Sequence, residues 1–486
     1  MSVIASPLAA LSPAAVWSAF ADLCAIPHPS RHEAAIIAML KARADAKGLD
    51  AEVDAKGNLI VRKAATPGKE GRPGVVLQSH VDMVPQANAG TRHDFAVDPI
   101  RPRVEDDWVV ATGTTLGADN GIGAAAMLAL MEDDRVAHGP LEFLFTVEEE
   151  IGLNGARAVA PGVLRGNILL NLDSEDDTQI TIGCAGGRDV VVTLPMAHAQ
   201  KPAHAHHFGV AVSGLKGGHS GIDIHLGHGN AIRILARALR AAMLAAPSLR
   251  LAAIAGGSAR NAIPREATAR IAVADAEEAN CRAAIATALT EIRAELAYAD
   301  PGLAISLETA APLPMFSGDA TSALLRAINA CPEGIARLSD TLPGTPETSS
   351  NLGVISTDDG GAKVVCMVRS SVDSARDALC ARITDAFALA GGTAKLGAPY
   401  PGWQPNPEAK ILALLSETQT RLRGEPPEIS TIHAGLECAI LGAAYPRWEM
   451  ASIGPVIRNP HSPDERVSIT SVGHFWRLLT ETLAAV

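Results

Sequence analysis

The chain has 486 residues, 48% hydrophobic and 19% charged, with 53 acidic against 41 basic side chains and a formal net charge of −12. That length predicts two or three domains with ample core, while the acidic balance and an aromatic content of 3% argue against nucleic acid, whose binders carry basic stripes and stacking rings. The mean hydropathy of +0.16 comes from alanine, and no run approaches the roughly 18 to 20 apolar residues of a spanning helix, so no membrane association is expected. Cys24, Cys184, Cys281, Cys331, Cys366, Cys380 and Cys438 lie far apart without a C-x-x-C pair. This is the pattern of reduced thiols in a cytoplasmic protein.

Residues 2–24 carry one charge, Asp22, lack a basic leader region and are interrupted by Pro7 and Pro13. They read as ending in an amphipathic helix over 14–24, with Val16, Trp17, Phe20 and Cys24 at helical spacing, rather than as a targeting segment. Ser30 and Glu33 form a capping box expected to open a helix running to about residue 47. Residues 51–64 predict a hairpin turning at Lys56-Gly57-Asn58. Strands follow at 74–80, 141–147 and 167–172, with helices at 120–133 and 153–160. Apolar strands spaced by helices predict a mainly parallel mixed sheet covered on both faces, an α/β domain.

After about residue 188 the texture changes. Strands at 189–194, 207–214 and 267–274 alternate with alanine-rich helices at 231–245 and 277–298, and a similar unit recurs through 317–330, 362–369 and 373–389. Residues 391–405 form a Gly/Pro-rich linker. The layout predicts a discontinuous catalytic domain, 1–187 and 400–486, interrupted by an inserted α+β lid domain at 188–399 that reads as two related halves.

Acidic and histidine clusters fall at the ends of the predicted strands, where open α/β sheets build their sites. His80 ends the run Gly74-Val75-Val76-Leu77, and in His80-Val81-Asp82 the two polar side chains point the same way on an extended chain, so Asp82 can orient the imidazole. Asp119 sits in the glycine-rich turn Gly117-Ala118-Asp119-Asn120-Gly121, as a helix cap or as a carboxylate bridging two metals. Glu148, Glu149 and Glu150 crowd like charge at a strand end, a cost that a cation offsets; one could ligate while a neighbour serves as general base. Asp173 ends the next strand and His461 lies between Pro460 and Pro463. Five ligands of mixed His and carboxylate type, one of them shared, suit a pair of zinc-like ions. His204, His206 and His207 read as an incidental loop cluster.

The strings Ser79-His80-Val81-Asp82-Met83-Val84, Gly117-Ala118-Asp119-Asn120-Gly121, Thr146-Val147-Glu148-Glu149-Glu150-Ile151-Gly152 and Asn171-Leu172-Asp173 resemble the co-catalytic zinc peptidases of family M20. Within that family the chain resembles the bacterial aminoacyl-histidine, or cytosol non-specific, dipeptidases. Further strings match in order: Gly217-Gly218-His219-Ser220-Gly221, Arg260-Asn261-Ala262-Ile263-Pro264, Thr348-Ser349-Ser350-Asn351-Leu352-Gly353, Arg369-Ser370-Ser371, His433-Ala434-Gly435-Leu436-Glu437-Cys438 and His461-Ser462-Pro463. Ala439 departs from the glycine expected after Cys438.

The resemblance implies a phosphorylase/hydrolase-like catalytic domain, a homodimer, and two Zn²⁺ per chain with Co²⁺ or Mn²⁺ as substitutes. His80 and Asp173 would hold one ion, Glu150 and His461 the other, and Asp119 would bridge. Asp82 would clamp His80, Glu149 would be the general base, and His219 would donate to the oxyanion from the lid or from a second subunit. Arg369 and Asn261 are candidates for gripping a substrate carboxylate, with a buried ion pair as the alternative for Arg369; Glu437 is a candidate for the substrate's α-ammonium. The function expected is hydrolysis of unblocked dipeptides with broad specificity, Xaa-His among them. The alternatives are an N-acyl amino acid deacylase of the same clan and a non-catalytic binding protein on a peptidase scaffold.

Overall fold

The strand Val75–His80 is buried along its whole length, as a run apolar on both faces demands when helices cover both sides of a parallel sheet. In the computed structural model, which describes residues 7–199 and 204–486, it pairs in parallel with Leu141–Thr146 on one side and Ile168–Asn171 on the other. Glu449–Ser452 extends the parallel set beyond Ile168–Asn171. Leu59–Lys63 and Gln179–Cys184 flank these four antiparallel, and Asp50–Val53 and Glu428–Ile432 complete an eight-stranded sheet among the described residues.

The hairpin expected over 51–64 is the pair Asp50–Val53 and Leu59–Lys63. The helix Ala14–Cys24 buries Val16, Trp17, Phe20 and Cys24 against Ala118–Glu132; residues 2–6 of the same reading lie outside the described residues. The expected capping box does not form. Ala34–Ala46 begins without a side-chain cap, because Ser30 Oγ donates to Asp82 Oδ2 at 2.8 Å and Glu33 Oε1 accepts from the N–H groups of Arg31 and Glu148. Tertiary partners have taken both groups away from the helix end.

The chain divides into two compact units: Met1–Cys184 with Trp403–Thr431 and Leu436–Val486, and Ala185–Gly402 with Ile432–Gly435. The short segment Ile432–Gly435, which no composition shift announces, falls in the second unit. In the second unit, nine strands among the described residues form one antiparallel sheet, with Gly186–Pro195, Gly361–Ser370 and Pro346–Asp358 adjacent. Helices Ala231–Ala245, Glu278–Glu295, Gly318–Ala330 and Asp373–Ala388 contribute to a core that runs from Val190 to Phe387. All seven cysteines are free and buried. Among the described residues no helix is long and apolar enough to cross a membrane.

Candidate active site

Three adjacent parallel strands deliver acidic or imidazole groups to one edge of the first unit, the carboxyl end, where side chains leave the sheet unpaired. His80 closes Val75–His80, Glu149 and Glu150 follow Leu141–Thr146, and Asp173 follows Ile168–Asn171. Asp119 comes from the start of Ala118–Glu132, behind Gly117 at φ 71°, a left-handed value that favours glycine. Asp119 is non-helical (φ −84°, ψ 107°) and its peptide bond to Asn120 is cis. Gly123 on the same helix lets the backbone of the Asp173 strand come close: a Cβ there would meet Leu172 O at 2.7 Å. His461 lies in the turn between the paired strands Ile457–Arg458 and Arg466–Ser468.

These groups gather into trios whose ligand atoms all lie within 4.8 Å of one another: His80, Asp119 and Asp173; Asp119, Glu150 and His461; and His80, Glu149 and Glu150. His80 Nε2 is 3.1 Å from Asp119 Oδ1 and 3.5 Å from Asp173 Oδ1. His461 Nε2 is 3.0 Å from both Asp119 Oδ2 and Glu150 Oε1. Asp119 thus turns one oxygen to each imidazole.

His80 Nδ1–H donates to the backbone carbonyl of Asp82 at 2.9 Å, which fixes the ring and turns Nε2 toward the site. The Asp82 carboxylate stands 3.5 Å from the same nitrogen. Its close partners are the N–H groups of Glu149 (3.0 Å) and Glu150 (3.2 Å) and the Ser30 hydroxyl (2.8 Å). Asp82 therefore orients the two glutamates as well as the imidazole.

The electrostatics are those of a site crowded with acid. Burial, with Asp173, Glu437 and Glu150 nearby, holds Glu149 well above the usual carboxylate range, and burial pushes Asp173 up to about 6. Burial opposes charge on His80, but Asp173, Asp119 and Asp82 outweigh it and hold that imidazole well above its ordinary value. The nearby carboxylates of Asp119 and Glu150 push His461 up to about 11. Burial disfavours charge on Asp119 too, yet His461 and His80 hold it below the usual range. Glu150 Oε1 is buried and accepts no well-angled hydrogen bond although His461 Nε2 is near. An orphaned carboxylate oxygen among oxygen and imidazole donors fits divalent cations of the zinc class.

Glu437 is fully buried, accepting on Oε2 from Gln78 Nε2 (2.5 Å) and Thr146 Oγ1 (2.7 Å), and burial pushes its pKa up to about 7. Its Oε2 ties together the strands Val75–His80 and Leu141–Thr146, while its Oε1 is buried without a hydrogen-bond partner among the described residues. Gln78 continues the chain to Asn171 Nδ2 at 2.7 Å. A glutamine within an apolar strand was the available signal, since a buried amide needs partners. Glu465, which accepts four backbone N–H groups around Asp119, carries no local signal at all.

The second unit holds the remaining candidates. Arg369 is 5% exposed, and among the described residues no acidic side chain pairs with it, which removes the buried ion pair as an account. Its Nη1 donates to Tyr400 Oη at 3.0 Å, and its Nη2 lies 3.4 Å from His219 Nε2. His219 Nδ1 accepts from the N–H groups of Gly221 and Ile222, which leaves the proton on Nε2; burial and Arg369 keep the ring neutral by lowering its pKa. Two N–H bearing groups side by side call for an acceptor. Asn261 is exposed and joins this cluster through its backbone carbonyl, which accepts from Ser220 N–H at 2.8 Å. Burial and Arg369 push His433 down to about 3, and its Nε2 lies 2.7 Å from Ser349 Oγ. His206 pairs with Asp275 and Glu278, and among the described residues no metal-holding trio includes the 204–207 histidines.

A family model described as peptidase family M20/M25/M40 matches residues 76–485. The chain is 44% identical over 482 residues, 99% of both sequences, to the cytosol non-specific dipeptidase of Escherichia coli (strain K12). Its structure superposes with a TM-score of 0.93 on the crystal structure of aminoacylhistidine dipeptidase from Vibrio alginolyticus, at 41% identity over 100% of this chain and 99% of that one. A tripeptidase from Staphylococcus aureus subsp. aureus Mu50 matches at TM-score 0.57 and 17% identity over 98% of each chain, a likeness of fold.

Proposed function

The chain belongs to peptidase family M20/M25/M40, and on that premise we propose that it is a dizinc dipeptidase that hydrolyses unblocked dipeptides with broad specificity, Xaa-His dipeptides among them. One observation carries the reading: two ligand trios that share Asp119. His80 and Asp173 would hold one ion, Glu150 and His461 the other, and Asp119 would serve both. When bound, such ions supply Lewis acidity that polarises a carbonyl and acidifies water.

The chain's own groups do the rest. Glu149 takes a proton from the attacking water and hands it to the leaving nitrogen, a task suited to a carboxylate whose pKa burial has raised. His219, with its proton on Nε2, is a donor suited to a developing oxyanion. Arg369, buried without an acidic partner among the described residues, is suited to a free carboxylate. The family resemblance favours a homodimer, and seven free thiols together with the name of the Escherichia coli relative favour the cytoplasm.

The test is a metal-analysed assay of dipeptides, tripeptides and N-acetyl amino acids against the same preparation. Dipeptide turnover with two zinc equivalents per chain is expected. Preference for N-acetyl substrates would sink the dipeptidase reading.

A further inference from the structure

We propose that Glu465 is a positioning residue that holds the Asp119 turn and the His461 turn in one register, so that the trio Asp119, Glu150 and His461 can take up its ion; this rests on the two-ion reading above. The Glu465 side chain is 2% exposed. Its Oε2 accepts from the N–H groups of Leu116 (2.8 Å) and Gly117 (2.9 Å), and its Oε1 from Ala118 (2.7 Å) and Asp119 (3.2 Å). Four consecutive backbone donors, ending at the bridging acid itself, are collected by one carboxylate.

The other end of Glu465 belongs to the turn that carries His461. Glu465 N–H donates to Ser462 O at 2.9 Å, and Asp464 N–H to Ser462 Oγ at 3.2 Å. His461 itself is half exposed, with φ 60°. Apart from the contacts of its Nε2 with Asp119 and Glu150, it is the Glu465 clasp that ties the backbone of this turn to the backbone at Asp119. A carboxylate suits this task because both oxygens accept. Glutamine in its place offers one accepting oxygen and turns an NH₂ group toward the remaining donors. His80 ends the strand Val75–His80 and Asp173 follows Ile168–Asn171 by two residues, so in that trio only the shared Asp119 depends on the clasp.

A carboxylate elsewhere in the same unit separates positioning from plain stability. Asp107 caps the helix Ile469–Ala485, accepting from Ser468 Oγ and from Thr470 N–H and Oγ1, and touches no ligand. Full-length wild type, Glu465→Gln, Glu465→Asp and Asp107→Asn are titrated with Zn²⁺ against a competing chelator, with Co²⁺ absorption as a second readout and circular dichroism as the check of folding. Glu465→Gln is expected to weaken one equivalent only slightly, through the shared Asp119, and to hold the second about 10- to 100-fold more weakly. Glu465→Asp, which keeps the charge on a shorter arm, falls between. Asp107→Asn melts earlier and keeps both equivalents. Two equivalents at wild-type affinity in folded Glu465→Gln, or equal weakening of both, would overturn the inference; a wild type that takes up a single ion overturns the two-ion reading and this inference with it.

Discussion

Asp82 Oδ1 accepts the backbone N–H of Glu149 at 3.0 Å, so the acid beside the His80 ring also fixes the peptide from which the proposed general base projects. Its second oxygen takes the Glu150 N–H and the Ser30 hydroxyl. Asp82→Asn leaves one accepting oxygen for two peptide donors. Metal affinity or kcat/KM should fall about 10- to 100-fold, read by zinc content after dialysis and by dipeptide turnover. An unaltered variant would reduce Asp82 to a packing role.

Glu149→Ala removes the proton carrier and spares all five proposed ligands. Hydrolysis should drop on the order of 10²- to 10⁴-fold while about two zinc equivalents remain. Elemental analysis beside the assay separates this from simple metal loss, and full activity in the variant would exclude Glu149 from proton transfer.

Arg369→Ala leaves a substrate carboxylate without its guanidinium. A hydrogen bond to a charged group contributes roughly 1.5–3 kcal/mol, so KM for dipeptides should rise on the order of 10- to 100-fold. Dipeptide amides, which lack the charge, should be turned over alike by both enzymes. Equal losses on acids and amides would contradict the assignment.

Glu437 sets a pH dependence in the metal-free protein. Its folded pKa, about 7, lies above the ordinary value because burial favours the neutral acid. The fold therefore binds that proton more tightly than the unfolded chain does, and stability falls as pH rises from about 4.3 through about 7. Glu437→Gln has no proton to lose. Urea unfolding of chelator-treated protein should show a shallower decline for the variant across that window, and parallel curves would refute it.

Much of the site was legible in the chain because its residues are local to strand ends. The runs before His80, Glu149 and Asp173 are apolar, so each strand is buried, and the first polar residue after it must leave the sheet at the same edge. Asp119 was legible through its glycine turn. The neighbours of these groups were not. Ser30 and Glu33 have the spacing of a helix cap, yet they bond Asp82 and the Glu148 N–H, since a partner brought close by folding competes on equal terms with one four residues away. Nothing local to Glu437 announces its burial, or its bonds from Gln78 and Thr146 on two sheet strands.

The amino-acid sequence alone determined the alternation of strand and helix and the identity of the acid and imidazole groups at the strand ends, because hydrophobic periodicity and turn chemistry act over a few residues. Only the tertiary structure decided which oxygen faces which imidazole, that Arg369 is buried without an acidic partner among the described residues, and that Glu465 reaches a turn 346 residues away. Those relationships depend on how distant backbone donors and carboxylates meet once the strands are stacked. No local pattern in the chain encodes that meeting, since the free energy that enforces it is the cost of leaving a buried polar group unpaired.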